Sequence, residues 1–197
     1  MKISEDKEFI EKLNETLKNG GVIGFVTDTV WGIGCLPESK KGVEKIYDIK
    51  QRDLTKPLIL MSNDKKYLMP YVQNVCTNAK SLMEMYFPGA LTLILDRSEK
   101  TPLYITSNKE TVGIRVPDNK VFQKLCSLID GHVLATTSAN ISGQSPALNY
   151  KTAVKNLGKL ADIIIEDEDE KATGEPSTVA GVSKSEIIIF RQGKVKI

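Results

Sequence analysis

Val22-Ile23-Gly24-Phe25-Val26-Thr27-Asp28-Thr29-Val30-Trp31-Gly32-Ile33-Gly34 is the stretch on which the fold turns. Its first five residues form a β-rich apolar run suited to a buried strand, and a small polar turn and paired glycines follow. Gly32 and Gly34 permit backbone angles or close approaches that a Cβ forbids. The hydroxyls of Thr27 and Thr29 and the carboxylate of Asp28 then stand at the carboxyl end of the strand, where open α/β sheets bind ligands. Taken alone, the segment fits a plain Thr-Asp-Thr turn slightly better, with Asp28 bonding nearby backbone amides as a brace.

Outward from this strand, Glu8 to Lys18 places Phe9, Ile10, Leu13 and Leu17 on one face at helical spacing, and Asn19-Gly20-Gly21 supplies the stop. Lys40 to Lys50, Asn78 to Tyr86, Val121 to Ile129 and Thr152 to Leu157 carry further helical patterns. Strands are expected at Leu58 to Met61, Leu91 to Leu95, Val112 to Val116, Val133 to Thr137, Asp162 to Ile165, Thr178 to Val182 and Ile187 to Arg191. Several of these runs follow one another with no helix between them. The pattern therefore points to the α/β class as a twisted mixed open sheet with flanking helices, rather than a pure βαβ repeat.

A chain of 197 residues is long enough for one well-buried core, so residues 1–197 are read as one domain. Its 41% hydrophobic and 26% charged residues are ordinary for a soluble globular protein, and no apolar run nears the roughly 20 residues of a membrane helix. Met1-Lys2-Ile3-Ser4-Glu5-Asp6 lacks a signal-peptide apolar region, so a cytoplasmic protein with no membrane partner is expected. Cys35, Cys76 and Cys126 are widely spaced with no CxxC pair, and they read as buried, reduced thiols. The sole histidine, His132, excludes a multi-histidine metal site and reads as a strand-edge residue. Glu166-Asp167-Glu168-Asp169-Glu170 is too strongly self-repelling for a core and lacks the pattern of a calcium loop, so a solvated loop is expected. A net charge of +2 is too mild to announce nucleic-acid binding.

Three cation-bearing segments lie at the edges of expected elements: Lys50, Arg52 and Lys56; Arg115 in Gly-Ile-Arg-Val-Pro; and Arg191 in Phe-Arg-Gln-Gly. Arginine offers planar, bidentate donors to phosphate or carboxylate and lysine a mobile point charge, although a surface salt bridge explains any one of them singly. Ser138-Ala139-Asn140-Ile141-Ser142-Gly143 presents hydroxyls and an amide where a strand stops, as does Pro176-Ser177-Thr178 after the acidic run. The chain has no GxxxxGK[ST] loop, GxGxxG fingerprint, HExxH or GxSxG elbow.

In their order along the chain, Thr27-Asp28-Thr29-Val30-Trp31-Gly32-Ile33-Gly34, Lys50-Gln51-Arg52, Lys56-Pro57-Leu58, Phe87-Pro88-Gly89-Ala90-Leu91-Thr92, Gly113-Ile114-Arg115-Val116-Pro117-Asp118, Thr137-Ser138-Ala139-Asn140-Ile141-Ser142-Gly143 and Pro176-Ser177-Thr178-Val179 resemble the YrdC/TsaC family. These are the threonylcarbamoyl-AMP synthases, and the resemblance runs from about Gly20 to Gly193, in the short form without a further C-terminal domain. It implies a YrdC-like twisted α/β sheet around a concave, basic cavity. The implied reaction joins L-threonine, bicarbonate or CO2, and ATP into threonylcarbamoyl-adenylate and pyrophosphate, with Mg²⁺ carried on the ATP phosphates and no protein metal site. The product serves N6-threonylcarbamoyladenosine formation at position 37 of tRNA, with a downstream threonylcarbamoyl transferase complex and tRNA contact as implied partners.

By the same resemblance Lys50, Arg52, Ser138 and Asn140 form the catalytic tetrad around the phosphates. Thr29, Arg115 and Ser177 hold L-threonine, while Arg52, Lys56, Thr111, Ser138, Asn140 and Arg191 contact ATP. The chain departs from the family pattern at Val26, Trp31, Ala90 and Asn119, where proline, tyrosine, proline and histidine are common, and at Ala180-Gly181 in place of Val-Asp. Two other functions fit less of the sequence: an RNA-binding module using the basic cavity, and a paralogous carbamoyl-adenylate enzyme without threonine selectivity.

Overall fold

A computed structural model describes residues 1–158 and 160–197. In chain order the elements are α1 (Lys7–Lys18), β1 (Ile23–Phe25), β2 (Gly32–Cys35), α2 (Lys40–Lys50), β3 (Ile59–Ser62), α3 (Lys65–Leu68) and a 3₁₀ turn (Met69–Tyr71). They continue as α4 (Thr77–Tyr86), β4 (Leu91–Asp96), α5 (Leu103–Thr106), β5 (Thr111–Arg115), α6 (Lys120–Leu128), β6 (Val133–Ser138), α7 (Tyr150–Leu157), β7 (Ile163–Ile164), β8 (Thr178–Val182) and β9 (Ile187–Arg191). The helices start where short polar side chains cap them: Asp6, Ser39, Asn119 and Asn149 accept from backbone amides in the first turns of α1, α2, α6 and α7.

All the strands join one mixed sheet in the order β7-β1-β2-β6-β3-β5-β4-β8-β9. The β1–β7, β3–β5 and β4–β8 pairs are parallel, and the remaining pairs are antiparallel. Apolar side chains of the sheet meet those of the helices in one core, as where Phe25 of β1 packs on Phe122 of α6 with ring centroids 5.0 Å apart. No helix among the described residues is long and apolar enough to cross a membrane.

The paired glycines expected after the polar turn lie in a strand of their own. Gly32 to Gly34 pair with β1 on one side and Gly32 to Cys35 with β6 on the other, and all four residues are buried. Small residues are needed there because the neighbours crowd in. A Cβ on Gly32 would lie 2.7 Å from Phe25 Cε2, and one on Gly34 3.0 Å from Thr136 Cγ2.

Register sets the face that carries the site. Met61 pairs with Arg115, Thr92 with Val179, and Val179 with Arg191, so Met61, Arg115, Thr92, Val179 and Arg191 form one row across β3, β5, β4, β8 and β9. A parallel row holds Thr136, Ile59 and Gly113. The acidic run is more anchored than a solvated loop: Glu166 N bonds Met1 O, Asp167 accepts from Tyr150 N, and Glu170 accepts from Asn119, leaving Glu168 and Asp169 exposed. These acidic side chains diverge to separate backbone and amide donors, which relieves their mutual repulsion. Cys35 and Cys126 are buried as expected, whereas Cys76, at the edge of α4, is only half-buried.

Candidate active site

A cavity of about 450 Å³ lies on this face, floored by the strand rows and walled by the segment from Thr27 to Gly32, by Pro57, and by Gly174 to Ser177. Arg52, Arg115 and Arg191 line it, and among the described residues no carboxylate does.

Arg115 sits at the carboxyl end of β5, almost wholly buried. Its Nε donates to Gly89 O at 3.0 Å, Nη1 to Thr29 Oγ1 at 2.9 Å, and Nη2 to Asp28 Oδ1 at 2.5 Å. Burial draws its pKa below the usual guanidinium value, the Asp28 carboxylate opposes that, and nearby Arg191 adds to it. Asp28 is therefore a counter-ion to Arg115 rather than a brace for its own turn. The turn is braced by Thr27, whose Oγ1 donates to Val30 O at 2.6 Å and accepts from the amides of Thr29 and Val30. A carboxylate that can reach a desolvated guanidinium gains more there than from a local amide.

Ser177 lines the same end of the cavity as Arg115. Its Oγ lies 2.9 Å from Thr92 Oγ1 and accepts from Arg191 Nη2 at 3.1 Å, while its carbonyl accepts from Arg191 Nε and Nη2. Arg52 projects from the end of α2, held by Lys56 O at 3.0 Å and Pro57 O at 3.1 Å. Burial lowers the pKa of both Arg52 and Arg191.

The four tetrad residues are contiguous but not equivalent. Ser138, the last residue of β6, lines the cavity and donates its Oγ proton to Asn140 Oδ1 at 2.6 Å. Lys50 stands behind it, outside the cavity wall and 1% exposed. Its Nζ donates to Ser138 O, to Asn140 O at 2.7 Å and to Asn140 Oδ1 at 3.0 Å. Those three bonds use every hydrogen of an ammonium. Burial, aided by Arg52, pushes the Lys50 pKa down to about 7, and there is no carboxylate among its hydrogen-bond partners. Asn140 is likewise outside the wall, its amide nitrogen given to Ile141 O and Gln144 O.

Lys56 is exposed and outside the lining. Thr111 shares the cavity face of β5 with Gly113 and Arg115 by strand alternation, but it too lies outside the lining. The cavity also gathers Thr92, Thr136, Thr137, Ile59, Met61 and Val179, none of which the sequence had marked as site residues. Only strand register brings them together. The motifs that contain Thr92, Thr137 and Val179 were the available signal for three of them.

The Sua5/YciO/YrdC family model, described as "Telomere recombination", matches residues 15–193. The chain is 33% identical over 193 residues to a putative threonylcarbamoyl-AMP synthase of Methanocaldococcus jannaschii, covering 98% of this chain and 89% of that one. It is 30% identical to the threonylcarbamoyl-AMP synthase of Vibrio campbellii, covering 93% of this chain and 98% of that one. Among solved structures, P. abyssi Sua5 complexed with L-threonine superposes with a TM-score of 0.88 at 26% identity, over 98% of this chain. The chain spans 56% of that longer protein.

Proposed function

The chain belongs to the Sua5/YciO/YrdC family, and from that membership we propose that it is a threonylcarbamoyl-AMP synthase, an enzyme of the nucleotidyltransferase type serving tRNA threonylcarbamoyladenosine synthesis. The observation that carries the reading is Arg115. Three of its five N–H groups are committed to Gly89, Thr29 and Asp28, so two remain for a carboxylate entering the cavity it lines. Threonine's carboxylate docks there, with Thr29 and Ser177 hydroxyls on either side. Arg52, Arg191 and Ser138 receive the phosphates, while Lys50 and Asn140 fix the carbonyl and hydroxyl of Ser138 from behind. Lys56 and Thr111 reach ATP at the rim.

The chemistry fits a site without a nucleophilic side chain. Threonine's amine and CO2, from bicarbonate, give a carbamate whose oxygen attacks the α-phosphorus; the bond to the β-phosphate oxygen breaks and pyrophosphate leaves. The side chains position the reactants and balance charge, which suffices for phosphoryl-type transfer. No three His, Cys, Asp or Glu side chains among the described residues are grouped to hold a metal, and Asp28 is committed to Arg115. Mg²⁺ enters on the ATP phosphates as part of the substrate.

A bare RNA-binding surface has no use for a guanidinium braced this deeply. Calorimetry separates the two readings: saturable heats with L-threonine and with Mg-ATP are expected. Salt-sensitive tRNA binding with no response to either small molecule would overturn the enzyme.

A further inference from the structure

Trp31 lines the cavity, is wholly buried, and holds an indole Nε1–H with no hydrogen-bond acceptor among the described residues. Among the described residues two other buried side-chain polar atoms lack partners, Arg97 Nε and Ser142 Oγ, but neither residue lines the cavity. A buried indole N–H normally finds an acceptor, because leaving it unpaired forfeits its hydration for nothing. The rest of Trp31 is fixed. Its backbone N donates to Ala147 O at 3.0 Å, its carbonyl accepts from Ala139 N at 2.7 Å, and its ring leans on that of Tyr150 at 6.0 Å between centroids. Those tethers follow directly on Ser138 and Pro146, two other lining residues, so the indole belongs to the Ser138 end of the cavity rather than the end where Arg115 meets Ser177.

We propose that Trp31 Nε1–H donates a hydrogen bond to a phosphate oxygen of the bound nucleotide, making Trp31 a binding residue of the nucleotide subsite. The proposal rests on the adenylate-forming reading above. A neutral donor suits this place: it pairs with a phosphate oxygen without adding a fourth charge to a cavity that already holds three guanidiniums.

Trp31 is the only tryptophan of the chain, so the ¹⁵N-labelled protein gives one indole N–H signal and needs no mutant to assign it. AMP and inorganic pyrophosphate, titrated separately, are expected to move that signal downfield. Adenosine and L-threonine are expected to leave it in place. Trp31→Phe keeps an aromatic ring without the donor and should weaken AMP binding by about tenfold in calorimetry, with threonine affinity held within about twofold. An unmoved indole signal at AMP and pyrophosphate concentrations that calorimetry shows to be saturating overturns this proposal and leaves the enzyme reading standing. A signal that moves with threonine alone also overturns it. A wild-type chain that binds no nucleotide overturns both.

Discussion

Arg115 is held at three points, and each is a neutral or anionic oxygen that a lysine could not reach in the same plane. Arg115→Lys should therefore raise the KM for threonine by roughly 10- to 100-fold, the scale of one lost charge-assisted hydrogen bond, and change the KM for ATP little. Steady-state kinetics with each substrate varied in turn would check this. Arg52 is different, since its protein contacts are two backbone carbonyls near its own segment. Arg52→Ala is expected to lower kcat/KM for ATP by about 100-fold while the melting temperature moves by only a few degrees. Near-normal turnover would remove Arg52 from the phosphate end.

Lys50 gives the residue scale its pH dependence. Its folded pKa of about 7 lies below the ordinary lysine value of 10.5, so between those pH values the unfolded chain binds more protons than the native one. Stability contributed by this site therefore rises with pH across that window. From pH 6 to pH 9 the gain should be about 3 kcal/mol, and Lys50→Met should abolish it. Urea unfolding of both proteins at the two pH values reads the difference. Above pH 7 the amine also loses one of its three N–H groups, so the tie between Lys50 and the Ser138–Asn140 segment slackens as the native fold gains stability.

At the scale of elements, β2 is the strand most dependent on small side chains. Gly32→Ala pushes a methyl against Phe25 and should cost about 1–3 kcal/mol, seen as a lower urea midpoint. The same strand shows where the sequence stops being legible. Lys40 to Lys50 repeats apolar residues at helical spacing and is α2 to the residue, and Thr178 to Val182 and Ile187 to Arg191 match their strands equally well. Gly32-Ile33-Gly34-Cys35 is buried on both sides, so it has neither alternation nor the bulk that marks a strand. The four-residue helices at Lys65–Leu68 and Leu103–Thr106 are too short to show a period. Within the site, motif residues such as Thr29, Arg115 and Ser177 could be picked out one by one. The Asp28–Arg115 pair, 87 residues apart, and the row from Met61 to Arg191 depend on register that no local pattern encodes.

The whole molecule is a sheet whose cavity is edged by a strap. After β7 the chain passes over the cavity edge, where Thr173 N and Oγ1 bond Asp28 O and Gly174 N bonds Thr29 O at 2.8 Å. The strap thus hangs on two of the three residues that hold Arg115. Ligand at Arg115 should stiffen it, so hydrogen exchange in peptides covering 172–177 is expected to slow several-fold with threonine and Mg-ATP present. Unchanged exchange at saturation would detach the strap from the site.

The sheet row, the braced Arg115 and the family membership all converge on one product. Incubating the protein with ATP, bicarbonate, L-threonine and Mg²⁺ and resolving the mixture by mass spectrometry tests that directly. The account predicts threonylcarbamoyl-adenylate and an equal amount of pyrophosphate, both lost when threonine or bicarbonate is omitted. ATP left intact, or an adenylate formed equally well without threonine, would contradict it.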